Sequence, residues 1–310
     1  MTEPGPNHVS GFVSIVGRTN AGKSTLMNAM LGTKLSIVAN KPQTTRTTIQ
    51  GVSTTADAQV VFLDTPGIHE GKTLLHERML SRIREALEGR DLILFLADAA
   101  QAFSEKDEQA LQWVKALTVP SLLVLNKIDL LHSKNALLPL LARYREAREF
   151  QEYIPISART GEGLDSLRAA ILARLPKGPR YFPEDYLTDQ PERFLASELI
   201  REKILHYTRE EVPHSVAVFV ERWVEEKSKK GEALTRVLAT IHVERDGQKA
   251  ILIGERGAMM KRIGTDARTE MEQLFARKFY LELFVKVTPD WRQRGQFLAE
   301  MDQSAFGQRE

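Results

Sequence analysis

The chain has 310 residues, a formal charge of +2 and no cysteine, and 42% of it is hydrophobic against 27% charged. That length predicts about two domains, and the balance excludes a collagenous, low-complexity or mostly disordered chain, while the missing cysteines exclude disulfides, cysteine zinc sites, iron–sulfur clusters and thiol nucleophiles. A charge of +2 is too small to grip nucleic acid over the whole surface, so any such site must be a local patch.

The first eight residues are polar, with no basic segment leading into an apolar run, so no secretory signal is expected. No apolar run approaches the roughly 20 residues of a membrane span. From residue 12 onward, short unbroken apolar runs at 12–16, 60–63, 92–97 and 122–125 read as buried strands, with 154–156 a weaker one. Helical spacing fills the gaps at 23–31, 73–87, 105–116, 135–150 and 164–175. This alternation predicts an open, mostly parallel α/β sheet covered by helices on both faces, with ligands at the carboxyl ends of its strands.

Between the first strand and the first helix stands Gly17-Arg18-Thr19-Asn20-Ala21-Gly22-Lys23-Ser24, the phosphate-loop pattern in its required context. Its glycines let backbone N–H groups turn inward onto phosphate oxygens, and the helix N-terminus adds partial positive charge. Lys23 is placed to neutralise the β- and γ-phosphates and Ser24 to offer its hydroxyl to Mg²⁺. Asp64-Thr65-Pro66-Gly67 closes the next strand; Asp64 can hold Mg²⁺ through water and the Gly67 N–H can reach a γ-phosphate. Asn126-Lys127-Ile128-Asp129 ends another strand. The Asp129 carboxylate can accept two hydrogen bonds from guanine N1 and N2, a donor pair adenine lacks. Asn126 can bond the base or tie loops together, the Lys127 stem can cover a base face, and Ser157-Ala158 can supply an N–H to guanine O6.

With these motifs in this order, residues 12–175 resemble a Ras-like GTPase domain of the translation-factor-related class. The resemblance takes in the switch segment Gln43-Thr44-Thr45-Arg46 and implies that Thr45 caps Mg²⁺ when GTP is bound. It also implies nucleotide contacts from Thr25 and Arg159, and catalytic roles for Lys23, Thr45 and Gly67. Ras-like proteins place a glutamine after D-x-x-G to orient water; Ile68 stands here and cannot polarise it, which predicts slow intrinsic hydrolysis. His69 and Glu70 are close by and read as solvated switch residues. In related GTPases an asparagine at the place of Asn20 helps hold potassium, so K⁺ stimulation is expected.

Four prolines between 176 and 191 mark a boundary. The division is a GTPase domain at 9–176, a proline-rich linker at 177–191 and a second domain at 192–310. In the second, 192–211 has helical spacing, 215–223 reads as a strand, and Val237, Ala239, Ile241 and Val243 alternate as a half-buried strand. The charged stretch 225–230 reads as a solvated turn, and 249–253 has a strand's pattern but is too short to decide. Met260, Ile263, Ala267, Met271 and Leu274 line one helical face, and Leu281, Leu283, Val285 and Val287 alternate again.

Ile253-Gly254-Glu255-Arg256-Gly257 carries G-x-x-G before a basic helix and a strand, and so resembles a smaller α+β KH module of type II, which clamps about four single-stranded nucleotides. Arg256, Lys261, Arg262 and Arg268 would form its local patch. The domain holds 21 Lys/Arg against 20 Asp/Glu, so binding should depend on a focused cleft and base stacking. Glu255 puts a negative charge in the turn meant to face phosphates, and Met259 stands where the family often has a basic residue.

A Ras-like domain followed by a KH module, joined through Pro183-Glu184-Asp185-Tyr186, closely resembles the Era family, bacterial GTPases of small-subunit ribosome assembly, over about residues 9–300. The resemblance implies Mg²⁺ and GTP, binding to the 3′ end of 16S rRNA and to the 30S precursor, a cytoplasmic monomer, and association with the inner face of the cell membrane. Two other readings are a GTPase whose second domain binds protein or membrane, and an ATP-using kinase, against which Asp129 argues.

Overall fold

Short apolar strands joined by amphipathic helices build the first unit of the computed structural model, which describes residues 8–69, 71–210, 212–227 and 231–306. Its elements run β1 (Val9–Val16), α1 (Lys23–Leu31), β2 (Ile49–Thr54), β3 (Ala58–Asp64), α2 (Leu74–Leu87), β4 (Leu92–Asp98), α3 (Glu105–Lys115), β5 (Ser121–Asn126), α4 (Leu137–Ala147), β6 (Glu152–Pro155) and α5 (Leu164–Leu172). The sheet order is β2-β3-β1-β4-β5-β6. Every neighbouring pair is parallel except β2 with β3. Strands β3, β4 and β5 are buried along their whole length, as a sheet covered on both faces demands.

This topology decides where a ligand goes. From β1 the chain moves out to β3 and then crosses back to β4 on the other side of β1, so the connections diverge at the carboxyl end of β1. That crevice is the expected ligand position in an open α/β sheet. The register sets Ile15 beside Asp64 and Asp98 beside Asn126, which brings these side chains to one edge of the sheet. Beneath them lies a core of Val16, Ile83, Phe95, Leu125 and Tyr144. The stretch 177–189 clusters with this unit. Gln59 holds it, accepting the N–H groups of Tyr181 and Phe182 at 2.7 and 2.9 Å and donating to Phe182 O.

The second unit comprises Ile37–Thr44, Thr73–Leu75 and the chain from Gln190 onward. Its elements are α6 (Glu192–Tyr207), β7 (Ala217–Lys227), β8 (Ala233–Val243), α7 (Asp246–Ile253), α8 (Ala258–Phe275), β9 (Lys278–Val287) and α9 (Gly295–Phe306). The sheet order is β7-β8-β9, antiparallel then parallel. Ile263, Ala267 and Met271, four residues apart, give α8 a buried stripe that packs with Ile200 and Ile204 of α6 and Val237, Ala239 and Ile241 of β8.

The second unit resolves one open reading and overturns one expectation. Residues 249–253 belong to helix α7, not to a strand: only Leu252 is buried there, while Ile251 and Ile253 face solvent. The Gln248 side chain also accepts the N–H groups of Glu244 and Arg245 at the helix start, at 2.9 and 3.2 Å. Residues 225–227 continue β7 rather than turning. Residues 228–230 of that expected turn lie outside the described residues, as do Glu70, Glu211 and 307–310.

The switch segment divides between the units. Val38 N–H donates to Glu202 Oε1 at 2.7 Å, His206 Nε2 lies 3.0 Å from Val38 O, and the Arg201 guanidinium donates to the carbonyls of Gln43 and Thr44. Thr45 and Arg46 belong to the first unit. Among the described residues no helix is long and apolar enough to cross a membrane.

Candidate functional site

The loop after β1 has no room for a side chain at Gly22. The residue has φ 98°, and a Cβ there would collide with the Asn126 amide. This tight turn delivers the open N-terminus of α1, with its unpaired N–H groups, to the crevice. Lys23 folds back over the loop and donates to Gly17 O at 3.1 Å and Arg18 O at 3.0 Å. Gly67 lies against the same loop, where an added Cβ would stand 2.8 Å from Thr19 Cα. Asn20 is exposed with φ 62°. Ala21 is buried, and Thr25 is half-buried in the first turns of α1.

Three oxygens converge beside Lys23. Ser24 Oγ donates to Asp64 Oδ2 at 2.6 Å and lies 2.8 Å from Thr45 Oγ1, which is itself 3.4 Å from Asp64 Oδ2. Among the described residues Asp64 Oδ1 is buried without a hydrogen-bond partner. Hard oxygen donors with an unsatisfied buried carboxylate oxygen suit Mg²⁺ and its bound waters. Burial raises the Asp64 carboxyl above its ordinary range, against the opposing charge of Lys23. Thr65 turns its hydroxyl into the sheet, onto Ile15 O at 2.8 Å, and Pro66 is buried.

Burial pushes the Lys23 ammonium down to about 8, and the charge of Asp64 only partly offsets it. A bound phosphate chain restores the charged form, so binding must take up a proton wherever free Lys23 has lost it. GDP affinity is therefore expected to show no Lys23 dependence below pH 8 and to fall up to about tenfold per pH unit above it. Calorimetry near pH 8.5 in buffers of different ionisation heat should read an uptake of about three quarters of a proton; no uptake would rule this out.

At the base end, Asn126 is a tie between loops. It donates to Ala21 O at 2.9 Å and accepts the Ala158 N–H at 2.9 Å. Asp129 receives Ser157 Oγ at 2.7 Å and Arg159 Nη2 at 2.5 Å. The Ser157 hydroxyl, more than the nearby Arg159 charge, holds its carboxyl below the usual range, so it stays an acceptor.

Two acidic residues that sequence reasoning missed lie within reach. Lys127 does not stand free: its Nζ meets Asp98 Oδ2 at 2.7 Å. The Arg18 side chain runs to Asp107 Oδ1 at 3.3 Å and Asp98 Oδ2 at 4.0 Å. Tyr144 donates to Asp107 at 2.8 Å, and burial raises its phenol so that it remains a donor. Ile68 is buried in the core with Val16 and Ile83 and brings no polar atom to the crevice. His69 bonds Gly67 O through Nδ1 at 2.8 Å and packs against His76.

In the second unit, Gly257, Lys261 and Arg268 line an open groove of ≈ 580 Å³ with Ile253, Met260 and Phe284. Gly254, Glu255 and Arg256 form the turn at its mouth, Arg256 at φ 49°. Arg262 stacks over the Tyr207 ring at 4.0 Å, and Arg268 pairs with Glu272 at 3.2 Å. Apolar wall, exposed aromatic and basic rim make a surface on which bases can stack.

Residues 12–127 match the family model described as a 50S ribosome-binding GTPase, and 211–292 match a KH domain model. The chain is 47% identical to GTPase Era of Geobacter metallireducens over 94% of this chain and 97% of that one. With GTPase Era of Staphylococcus haemolyticus it shares 46% over 97% and 98%. A crystal structure of Era in complex with MgGDPNP and nucleotides 1506–1542 of 16S ribosomal RNA superposes with a TM-score of 0.91, at 42% identity, covering 97% of this chain and 99% of that one. A variant of Aquifex aeolicus Era bound to GDP and AlF4⁻ gives 0.90 at 42% identity, covering 96% and 99%.

Proposed function

The chain belongs to the Era family of GTPases, and from that premise we propose that it is a GTP-controlled RNA-binding protein that takes the 3′ end of 16S rRNA on its second domain and assists assembly of the 30S subunit. The observation that carries this reading is the likeness, at a TM-score of 0.91, to an Era that holds a GTP analogue and that RNA together. The domain limits we propose are 9–176 for the GTPase, 177–191 for the linker and 192–310 for the RNA-binding part.

In the first domain, backbone N–H groups of residues 17–25 surround the phosphates and Lys23 neutralises the β- and γ-oxygens. Ser24, Thr45 and Asp64 would hold Mg²⁺, Asp64 through water; when bound, the ion spreads the charge that develops on the phosphates. The Gly67 N–H reports the third phosphate, while Asp129 and Asn126 select guanine, with Ser157 and Arg159 steadying Asp129; the N–H groups expected for guanine O6 are engaged elsewhere, that of Ala158 by Asn126 Oδ1 at 2.9 Å and that of Ser157 by Glu162 O at 2.9 Å. Ile68 leaves the attacking water without a polar partner from that position, so intrinsic hydrolysis is slow. Asn20 is exposed at the loop and takes part in a K⁺ site. The rate in KCl should then exceed that in NaCl at equal ionic strength by at least about tenfold, short of the 10³–10⁵ of an arginine finger; equal rates would sink the potassium reading.

In the second domain, the turn 253–257 and Lys261, Arg262 and Arg268 receive single-stranded RNA. The protein acts as a cytoplasmic monomer on the 30S precursor and associates peripherally with the inner membrane face. The test is binding of a short RNA copied from the 16S 3′ end to the GTP-analogue and GDP forms, with a scrambled RNA and a salt series. Selective binding that is tighter in the GTP-analogue form is expected. Equal binding of both RNAs, or none, would leave a GTPase with a different partner.

A further inference from the structure

The base-covering turn and the phosphate loop are joined by a line of alternating charges: Lys127, Asp98, Arg18 and Asp107, closed by the Tyr144 hydroxyl. Asp98 ends β4 and its side chain is 9% exposed, so its charge is poorly screened. Its Oδ1 is occupied by the Ala100 N–H at 3.0 Å, which fixes the carboxylate and leaves Oδ2 to Lys127. Asp107 is pinned as firmly. Ser104 donates to its Oδ2 from N–H and Oγ, at 3.0 and 2.7 Å, and Tyr144 donates to its Oδ1.

We propose that Asp98 is a positioning residue of the nucleotide site: its carboxylate holds Lys127 in place to cover the base and, through Arg18, sets the base turn against the phosphate loop. The proposal rests on the reading of Lys127 as the residue that covers the base. A lysine is a point charge on a flexible four-carbon stem and has no preferred pose of its own. Lys127 also takes up a left-handed backbone, φ 70°, that a non-glycine residue adopts only when its surroundings hold it there. Fixing the ammonium before the ligand arrives removes an ordering cost from binding. Asn126 makes a second, uncharged tie between the same regions, so losing Asp98 loosens the site without dismantling it.

The test is dissociation of fluorescent mant-GDP, chased with excess GDP, with melting temperature recorded for each protein. Asp98→Asn keeps the shape and removes the charge, and should speed release on the order of tenfold. Asp98→Glu restores the charge and should return release to within about threefold of wild type. In a Lys127→Met background the same Asp98→Asn change should lose most of its effect, because its partner is gone. Tyr144→Phe, which leaves every charge in place, should speed release by about two- to threefold and carries the test should Asp98→Asn fail to fold. Wild-type release rates in Asp98→Asn and Tyr144→Phe overturn the proposal. So does an acceleration that Glu does not rescue and that is equal in both Lys127 backgrounds, since that is general loosening. A wild-type protein that does not prefer mant-GDP to mant-ADP would instead overturn the reading of the site, and the proposal with it.

Discussion

Replacing Asp129 by Asn should convert a guanine site into a xanthine site. The carboxylate is held by Ser157 Oγ and Arg159 on its flanks and is kept ionised, so it offers acceptors to the two adjacent N–H groups of guanine. An amide of the same shape offers one acceptor and one donor. Its donor then faces a guanine N–H, and neither group is satisfied. A site built around such a pair rejects the wrong partner by roughly 10⁴–10⁵, and GDP affinity should fall by about that order. Xanthine carries a carbonyl where guanine carries its amino group, so the amide donor regains an acceptor and XDP should bind better to the variant than GDP does. The fold should hardly notice: Arg159 is 71% exposed, and a pair with so exposed a member contributes little. Titrations with GDP and XDP on both proteins decide it. Equal weakening toward both ligands would mean that Asp129 serves the turn rather than the base.

The same residues show what could be read from the chain alone. The phosphate loop, Asp64, Asn126 and Asp129 were legible because each sits where a buried strand ends, and a parallel sheet brings such ends together. Asp98 also ends a buried strand, but the turn that follows it carries no motif. Its role appears only when Lys127, 29 residues later, arrives beside it. Asp107 reads as an ordinary first-turn acid of α3, and it is one, since it caps Ser104; its second oxygen is committed to Tyr144 and Arg18. Residues 249–253 stay undecided in the sequence because five apolar-leaning residues do not distinguish a period of two from one of 3.6. Strand β2 escaped notice as an antiparallel edge strand interrupted by Gly51, where a side chain would strike Leu31 of α1. The division of the switch segment was invisible for another reason. Arg201 donates to main-chain carbonyls at residues 43 and 44, and a carbonyl looks the same under every side chain.

Gly257→Asp should sharply weaken RNA binding in a protein that still folds, whereas the same change at Gly254 should damage the fold itself. Both glycines have a positive φ, but Gly257 (φ 79°, ψ 11°) is left-handed helical and a side chain there carries a strain of about 1 kcal/mol, whereas Gly254 (φ 69°, ψ 177°) sits in a region open essentially to glycine alone, at about 1–3 kcal/mol. They differ in the space around them. A Cβ at Gly254 would stand 2.7 Å from Met259 Cβ and 3.0 Å from its N, so the start of α8 would have to move. Its chain neighbours apart, nothing among the described residues lies within 4 Å of a Cβ at Gly257, which opens onto the groove shared with Lys261 and Arg268. An aspartate there sets a second negative charge beside Glu255, on the path proposed for the phosphates. Affinity for the 16S 3′-end RNA should drop by on the order of 100-fold at low salt and less at high salt, where the repulsion is screened. Gly257→Ala carries the same strain without the charge and should stay within a few-fold of wild type. Anisotropy titrations with melting temperatures alongside separate the cases. A Gly254 variant that loses RNA binding together with several degrees of melting temperature says nothing about contact, because its helix has shifted. A Gly257→Asp protein that melts like Gly257→Ala yet binds RNA like wild type would take the backbone of the RNA away from this turn, and the exposed face of β9, with Tyr280 and Phe284, would become the surface to test.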